Sequence, residues 1–200
     1  MKTILRTNRL ILRPPCRKDE DRIIELAGNI NVSRNLLRVP WPYERSDAKE
    51  WLSRVIGEHD AGQPRAFAIT LAETSELIGV IGIHPAEGNA PRASFGYWLG
   101  EAYWGRGYAT EALSEILRYG FDDRSFHRIE ACHLASNPAS GRVMQKAGMQ
   151  YEGVRRQRLY KDGQSFDEVL YGILEVDWRA HNTTQSVTEN PIIYETLITE

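Results

Sequence analysis

Two short patterns in this chain gather residue types that handle phosphates and protons. The first is Trp104-Gly105-Arg106-Gly107-Tyr108-Ala109-Thr110-Glu111-Ala112. Two glycines flank an arginine, and Ala109, Ala112, Leu113, Ile116 and Leu117 then recur on one face of a helix. A strand-like run, residues 93–99, precedes it. The order strand, glycine loop, helix aims unpaired backbone N–H groups and the positive end of a helix dipole at one point. An anion fits there, a pyrophosphate most naturally, because glycine lets the backbone approach without a Cβ in the way. The second pattern is Asn137-Pro138-Ala139-Ser140, which opens another helix. Asparagine suits the N-cap and proline the first helical position. Ser140 carries a hydroxyl that can donate a proton; it also fits as an ordinary first-turn residue.

The elements that must position these patterns follow from periodicity. Residues 9–13 read as a first strand stopped by Pro14-Pro15, and a helix follows from near Arg17 to Ala27. Residues 30–44 read as irregular, because two prolines surround a tryptophan in Pro40-Trp41-Pro42-Tyr43. Ser46 is a candidate cap for the next helix, whose buried stripe is Ala48, Trp51, Leu52, Val55 and Ile56. Residues 66–71 and 77–83 form an antiparallel hairpin across a short polar turn. Residues 127–134 make a further strand, and Asp162-Gly163 joins two last strands. After Trp178 the composition turns polar, so residues 1–180 are expected to form one domain. Residues 181–200 are expected to be a tail, disordered or lent to a neighbouring chain.

The 200 residues, 42% hydrophobic and 26% charged, suit a soluble domain with a sizeable core. A net charge of -2 argues against a nucleic-acid binder that relies on overall charge. Cys16 and Cys132 lie far apart without metal spacing, and no metal is expected. No apolar run has the length of a signal peptide or a membrane span, so a cytoplasmic protein is expected.

The segment Gly96-Tyr97-Trp98-Leu99 followed by residues 104–112 resembles the acetyl-CoA signature of the GNAT superfamily of N-acetyltransferases. Asn137, Ser140, Val143, Lys146 and Gly148 match the second signature of the Rim-type branch, which acetylates N-termini of ribosomal proteins. Arg9-Leu10-Ile11-Leu12-Arg13-Pro14 is similar to that branch's first strand, and the resemblance covers about residues 5–178. It implies an α+β fold: a strongly twisted mixed sheet of about seven strands with helices on both faces. The strands at 93–99 and 127–134 would splay, and the pantetheine arm of acetyl-CoA would lie between them. Arg106, Gly107, Tyr108, Ala109 and Thr110 would hold the pyrophosphate. Trp98, Leu99, Asn137 and Lys146 complete the implied cofactor contacts, with Asn137 and Ser140 beside the thioester as the catalytic residues.

Two departures bear on mechanism. Many relatives carry a proton-donating tyrosine at the position of Met144, and methionine cannot donate; Ser140 is the substitute. The branch often has a glutamate just before the glycine of its fourth strand, where this chain has Ser94 and Phe95, so the general base is unassigned. Trp41, Tyr43, His84 and Tyr97 are the candidates for the acceptor side, each equally suited by type to packing. The acceptor expected is a protein N-terminal α-amine, whose pKa of about 8 asks less of a base than a lysine near 10.4. A small amine, such as an antibiotic, polyamine or amino acid, is the alternative, and a non-catalytic acyl-CoA sensor is the alternative of another class. The chain is expected to be a monomer or homodimer with no nucleic-acid or membrane partner.

Overall fold

The structure is a computed structural model that describes residues 3–88 and 90–189. Strands β1 (Leu5–Arg6) and β2 (Leu10–Arg13) lead into a short 3-10 turn and α1 (Glu20–Ala27). Then come α2 (Ile30–Ser33), α3 (Arg45–Asp60) and three strands: β3 (Ala66–Leu71), β4 (Leu77–Pro85) and β5 (Arg92–Leu99). The glycine loop enters α4 (Tyr108–Arg118), followed by β6 (Arg128–Leu134) and α5 (Pro138–Lys146). The hairpin β7 (Gln150–Lys161) and β8 (Gln164–Leu174) precedes α6 (Glu175–Glu189). One mixed sheet runs β1-β2-β3-β4-β5-β6-β8-β7, eight strands where about seven are expected; the extra one is the two-residue β1.

Alternation along the strands sorts side chains between two layers. Ile81 and Ile83 pack with Leu113, Ile116 and Leu117 of α4 and with Met144 of α5. Trp178 of α6 joins that cluster against Phe121. On the other face Val55 of α3 packs with Ala66 and Val80, and Ile23, Leu26 and Leu52 close over Ala68 and Leu77. Helices therefore cover both faces.

Among the described residues the sheet has one parallel pairing. β5 and β6 are bonded only over Arg92–Ser94 and Arg128–Glu130. Beyond that point the two strands pair only outward, β5 with β4 and β6 with β8. Residues 95–99 and 131–134 thus border a gap with unpaired backbone edges.

Two local expectations are corrected. Residues 30–44 are not wholly irregular, since Asn29 caps α2 through Oδ1 on Asn31 N at 2.8 Å. Helix α3 starts at Arg45 with Glu44 in the cap position, because the Asp47 carboxylate accepts the Glu44 N–H at 2.8 Å; Ser46 lies inside the first turn. Helix α6 runs from Glu175 to Glu189 with Trp178 in the core, and residues 190–200 of the expected tail lie outside the described residues.

The entry to α1 carries a stability prediction. Asp19 is 6% exposed and accepts both Arg13 guanidinium nitrogens, at 2.8 and 2.6 Å, and the Cys16 N–H at 2.8 Å. Burial acts to raise its pKa, but the Arg13 fork and the Cys16 N–H outweigh burial and hold it below the ordinary aspartate value. Asp19→Ala strands the guanidinium, and a loss of about 3 kcal/mol is expected in urea unfolding at neutral pH. A depressed folded pKa contributes stability above the unfolded value of about 3.9, lost as pH falls through the folded value. The gap between wild type and variant should therefore narrow in acid.

Candidate active site

The glycine loop is built for an anion. Gly105 and Gly107 both have positive φ, 73° and 81°, where a side chain is strained. Gly107 is the N-cap of α4, and its carbonyl accepts the Glu111 N–H at 3.0 Å. The N–H groups of Tyr108, Ala109 and Thr110 precede that first bond and point out of the helix end. Arg106 is exposed. A diphosphate fits this cradle: donors without backbone partners, a dipole of the right sign, and no Cβ in the approach.

A strap from the first strands holds the cradle. Glu111 accepts the Thr7 hydroxyl at 2.6 Å, the Arg9 N–H at 2.8 Å and Arg9 Nε at 2.7 Å. Arg9 Nη1 donates to the Arg106 carbonyl at 3.1 Å, and the guanidinium lies 4.7 Å from the centre of the Tyr108 ring. Burial acts to raise the Glu111 pKa, but the Thr7 and Arg9 donors outweigh it and keep the carboxylate ionised. Glu111 thus ties the loop to the sheet. Arg9, visible in sequence only as part of a strand, is a support that sequence reasoning missed.

The gap brings Tyr97 and Ser140 together. Tyr97 reaches from β5 to the start of α5, and its hydroxyl donates to Ser140 Oγ at 3.2 Å. Burial pushes the Tyr97 pKa up, the Ser140 bond opposing, so the phenol is protonated at neutral pH. Tyr97, expected on the acceptor side, is therefore beside Ser140 on the α5 side. Asn137 holds the N-cap position of α5 but makes no side-chain capping bond, leaving its amide available. Met144, at the position of the family tyrosine, is 2% exposed and part of the core.

Other expected residues are placed differently. Leu99 is buried, and its carbonyl takes the Trp104 indole N–H at 2.8 Å. The Trp98 side chain packs beneath α3, so both residues offer the gap only backbone. Lys146 lies in a crevice with Glu111, Glu115, Trp178 and His181, roughly 13 Å along α5 from Asn137. Tyr43 packs with Ile23, Leu26 and Leu52, and burial, with Asp47 nearby, pushes its pKa up to about 12. Trp41 is 56% exposed.

On the α3 face of the sheet two glycines meet across a strand pair. Gly82 and Gly96 are opposite each other on β4 and β5, flanked by the pairs Val80–Trp98 and His84–Ser94. A Cβ on Gly96 would meet nothing within 4 Å, so this floor is open beside the gap. A Cβ on Gly82 would come within 3.0 Å of His84 Nε2, so glycine there makes room for the imidazole. The loop after α2 is fixed near this face from a distance: Lys161, 8% exposed, donates to the Leu36 carbonyl at 2.8 Å and the Val39 carbonyl at 3.0 Å.

The model of the acetyltransferase (GNAT) domain matches residues 9–150. The uncharacterized N-acetyltransferase YoaA of Bacillus subtilis (strain 168) is 34% identical over 176 residues, 86% of this chain and 97% of that protein. The [Ribosomal protein uS5]-alanine N-acetyltransferase of Escherichia coli (strain K12) is 31% identical, covering 88% of this chain and 93% of its own. A solved GNAT-family acetyltransferase from Bacillus anthracis superposes with a TM-score of 0.79 at 26% identity, over 87% of this chain and 99% of that one. With the splayed strands and the amide cradle, these matches make the chain a member of the GNAT family, an acetyl-CoA-dependent N-acetyltransferase.

Proposed function

We propose that the acetyl group passes to the α-amine of a protein N-terminus, in one catalytic domain over residues 1–180. The observation that carries this reading is the open acceptor face. Gly96 is exposed and leaves the floor beside the gap without a side chain, and Trp41 is 56% exposed rather than closing a small pocket. A peptide end has room there, whereas a small amine would find few walls. The similarity to the uS5-alanine enzyme supports the same class of acceptor.

Acetyl-CoA, when bound, supplies an activated acetyl thioester. The amide cradle at residues 106–110 orients it, with Asn137 and the gap strands guiding the arm. Ser140 donates its proton to the departing sulfur, and Tyr97, which donates to Ser140 Oγ, refills it. Two hydroxyls in series thus do what a single tyrosine does elsewhere in the family.

An acceptor screen reading CoA release tests the assignment. Peptides with free N-termini are expected to exceed polyamines, aminoglycosides and free amino acids in kcat/KM by at least about tenfold, a transition-state difference of about 1.4 kcal/mol. A small amine that outruns every peptide would overturn it.

A further inference from the structure

An acceptor amine arrives largely as an ammonium at neutral pH, and the Tyr97–Ser140 pair supplies a proton rather than removing one. Two groups on the α3 side have the complementary chemistry. Glu58 Oε1 accepts Arg54 Nη1 at 3.0 Å, while Glu58 Oε2 is buried with no hydrogen-bond partner among the described residues. A buried carboxylate oxygen without a donor is costly, and a positive charge brought beside it offsets that cost. His84 is the second group, with its imidazole over Gly82 and one side of the residue open to solvent.

The fold brings these groups to one place. Val55, one turn before Glu58, packs with Ala66 and Val80. His59 lies 2.6 Å from the Ala66 carbonyl through Nε2, and Ala66 is the strand neighbour of Gly82. The last turns of α3 therefore cross the sheet at the level of Gly82 and His84. We propose that His84 takes the proton of the acceptor ammonium and that the Glu58 carboxylate, buried beside it, offsets the positive charge of that ammonium. The proposal rests on the floor at Gly96, beside His84, being the acceptor site.

The charges around His84 fit the task. Burial of the ring, then Arg38 on the loop held by Lys161, lower its pKa; Arg54 of α3 and Arg65 before β3 act the same way, and Glu58 opposes them. The imidazole is thus neutral at pH 7 and has a free electron pair. The ammonium N–H bond breaks, its electron pair stays on nitrogen, and the proton goes to His84 and on to water. The neutral amine then forms the N–C bond as the C–S bond breaks. The nitrogen's second proton balances the one delivered through Ser140 to sulfur.

The test compares wild type, His84→Gln and Glu58→Gln from about pH 6 to about pH 10, using whichever amine the wild type turns over fastest. An α-amine of pKa about 8 is about one-tenth neutral at pH 7, so each variant should lose about tenfold in kcat/KM there. The loss should fade above the acceptor's own pKa, where the amine arrives neutral. Acetyl-CoA affinity by calorimetry should be unchanged in both variants, and the melting temperature unchanged in His84→Gln. A loss that persists undiminished at high pH overturns the proposal, and so does full activity of either variant at pH 7. If Glu58→Gln unfolds, the more exposed His84→Gln carries the comparison. Failure of the N-terminal acceptor assignment would show separately, as a wild-type preference for small amines, and leaves the pH comparison intact.

Discussion

Gly107→Glu is expected to abolish acetyl-CoA binding, with a loss of more than about a thousandfold in a calorimetric titration. Two effects add. Gly107 sits at φ 81°, a conformation that costs a side chain about 1–2 kcal/mol. The new carboxylate would stand at the helix end that a diphosphate must occupy, and two like charges about 4 Å apart near a protein surface repel by about 4 kcal/mol. Arg9 cannot neutralise it freely. Its Nη2 lies 3.4 Å from the new Cβ, but the guanidinium already serves Glu111 and the Arg106 carbonyl. Gly107→Ala separates the two effects, since it keeps the strain and omits the charge; about tenfold weaker binding is expected. An unchanged affinity for Gly107→Glu would remove the pyrophosphate from this loop.

Ser140→Ala is expected to lower kcat about a hundredfold, the lower range for loss of a positioned proton donor, with acetyl-CoA affinity unchanged. Tyr97→Phe should fall in the same direction, because Ser140 loses the hydroxyl that donates to it at 3.2 Å. The double variant is the discriminating measurement. Residues that act as a unit are not additive, so Ser140→Ala/Tyr97→Phe should be no slower than Ser140→Ala alone. Full additivity would separate the two hydroxyls mechanistically, and an unchanged rate for Ser140→Ala would remove both from the proton path.

How far the sequence reaches depends on how local the cause is. The helix after Gly107 and the one after Asn137 were legible because periodicity, glycine and proline act within a few residues. The Asn137 position was legible, but the missing capping bond was not, since that depends on how the chain enters the turn. The cap of α3 was misread for a similar reason: Ser46 and Glu44 both suit a helix start, and the Asp47 carboxylate on the Glu44 N–H decides between them. Tyr97 was legible as an aromatic on β5, but its contact with Ser140 depended on strand alternation and register.

By itself the sequence determined the donor side: a glycine cradle at a helix N-terminus, a second helix opening on Asn137 and Ser140, and an α+β chain able to bury both. These are short-range properties of backbone conformation and side-chain type. Only the tertiary structure decided what lies beside the gap. The pairing of β5 with β6 stops at Ser94 and Glu130, which opens the gap. Gly82 meets Gly96 through strand register, and Lys161 holds a loop more than a hundred residues earlier in the chain. Glu58 reaches the neighbourhood of His84 because α3 packs across β3 and β4. No spacing in the chain encodes such meetings, because they arise when separate elements bury their apolar faces against one another and carry their polar residues into the same small volume.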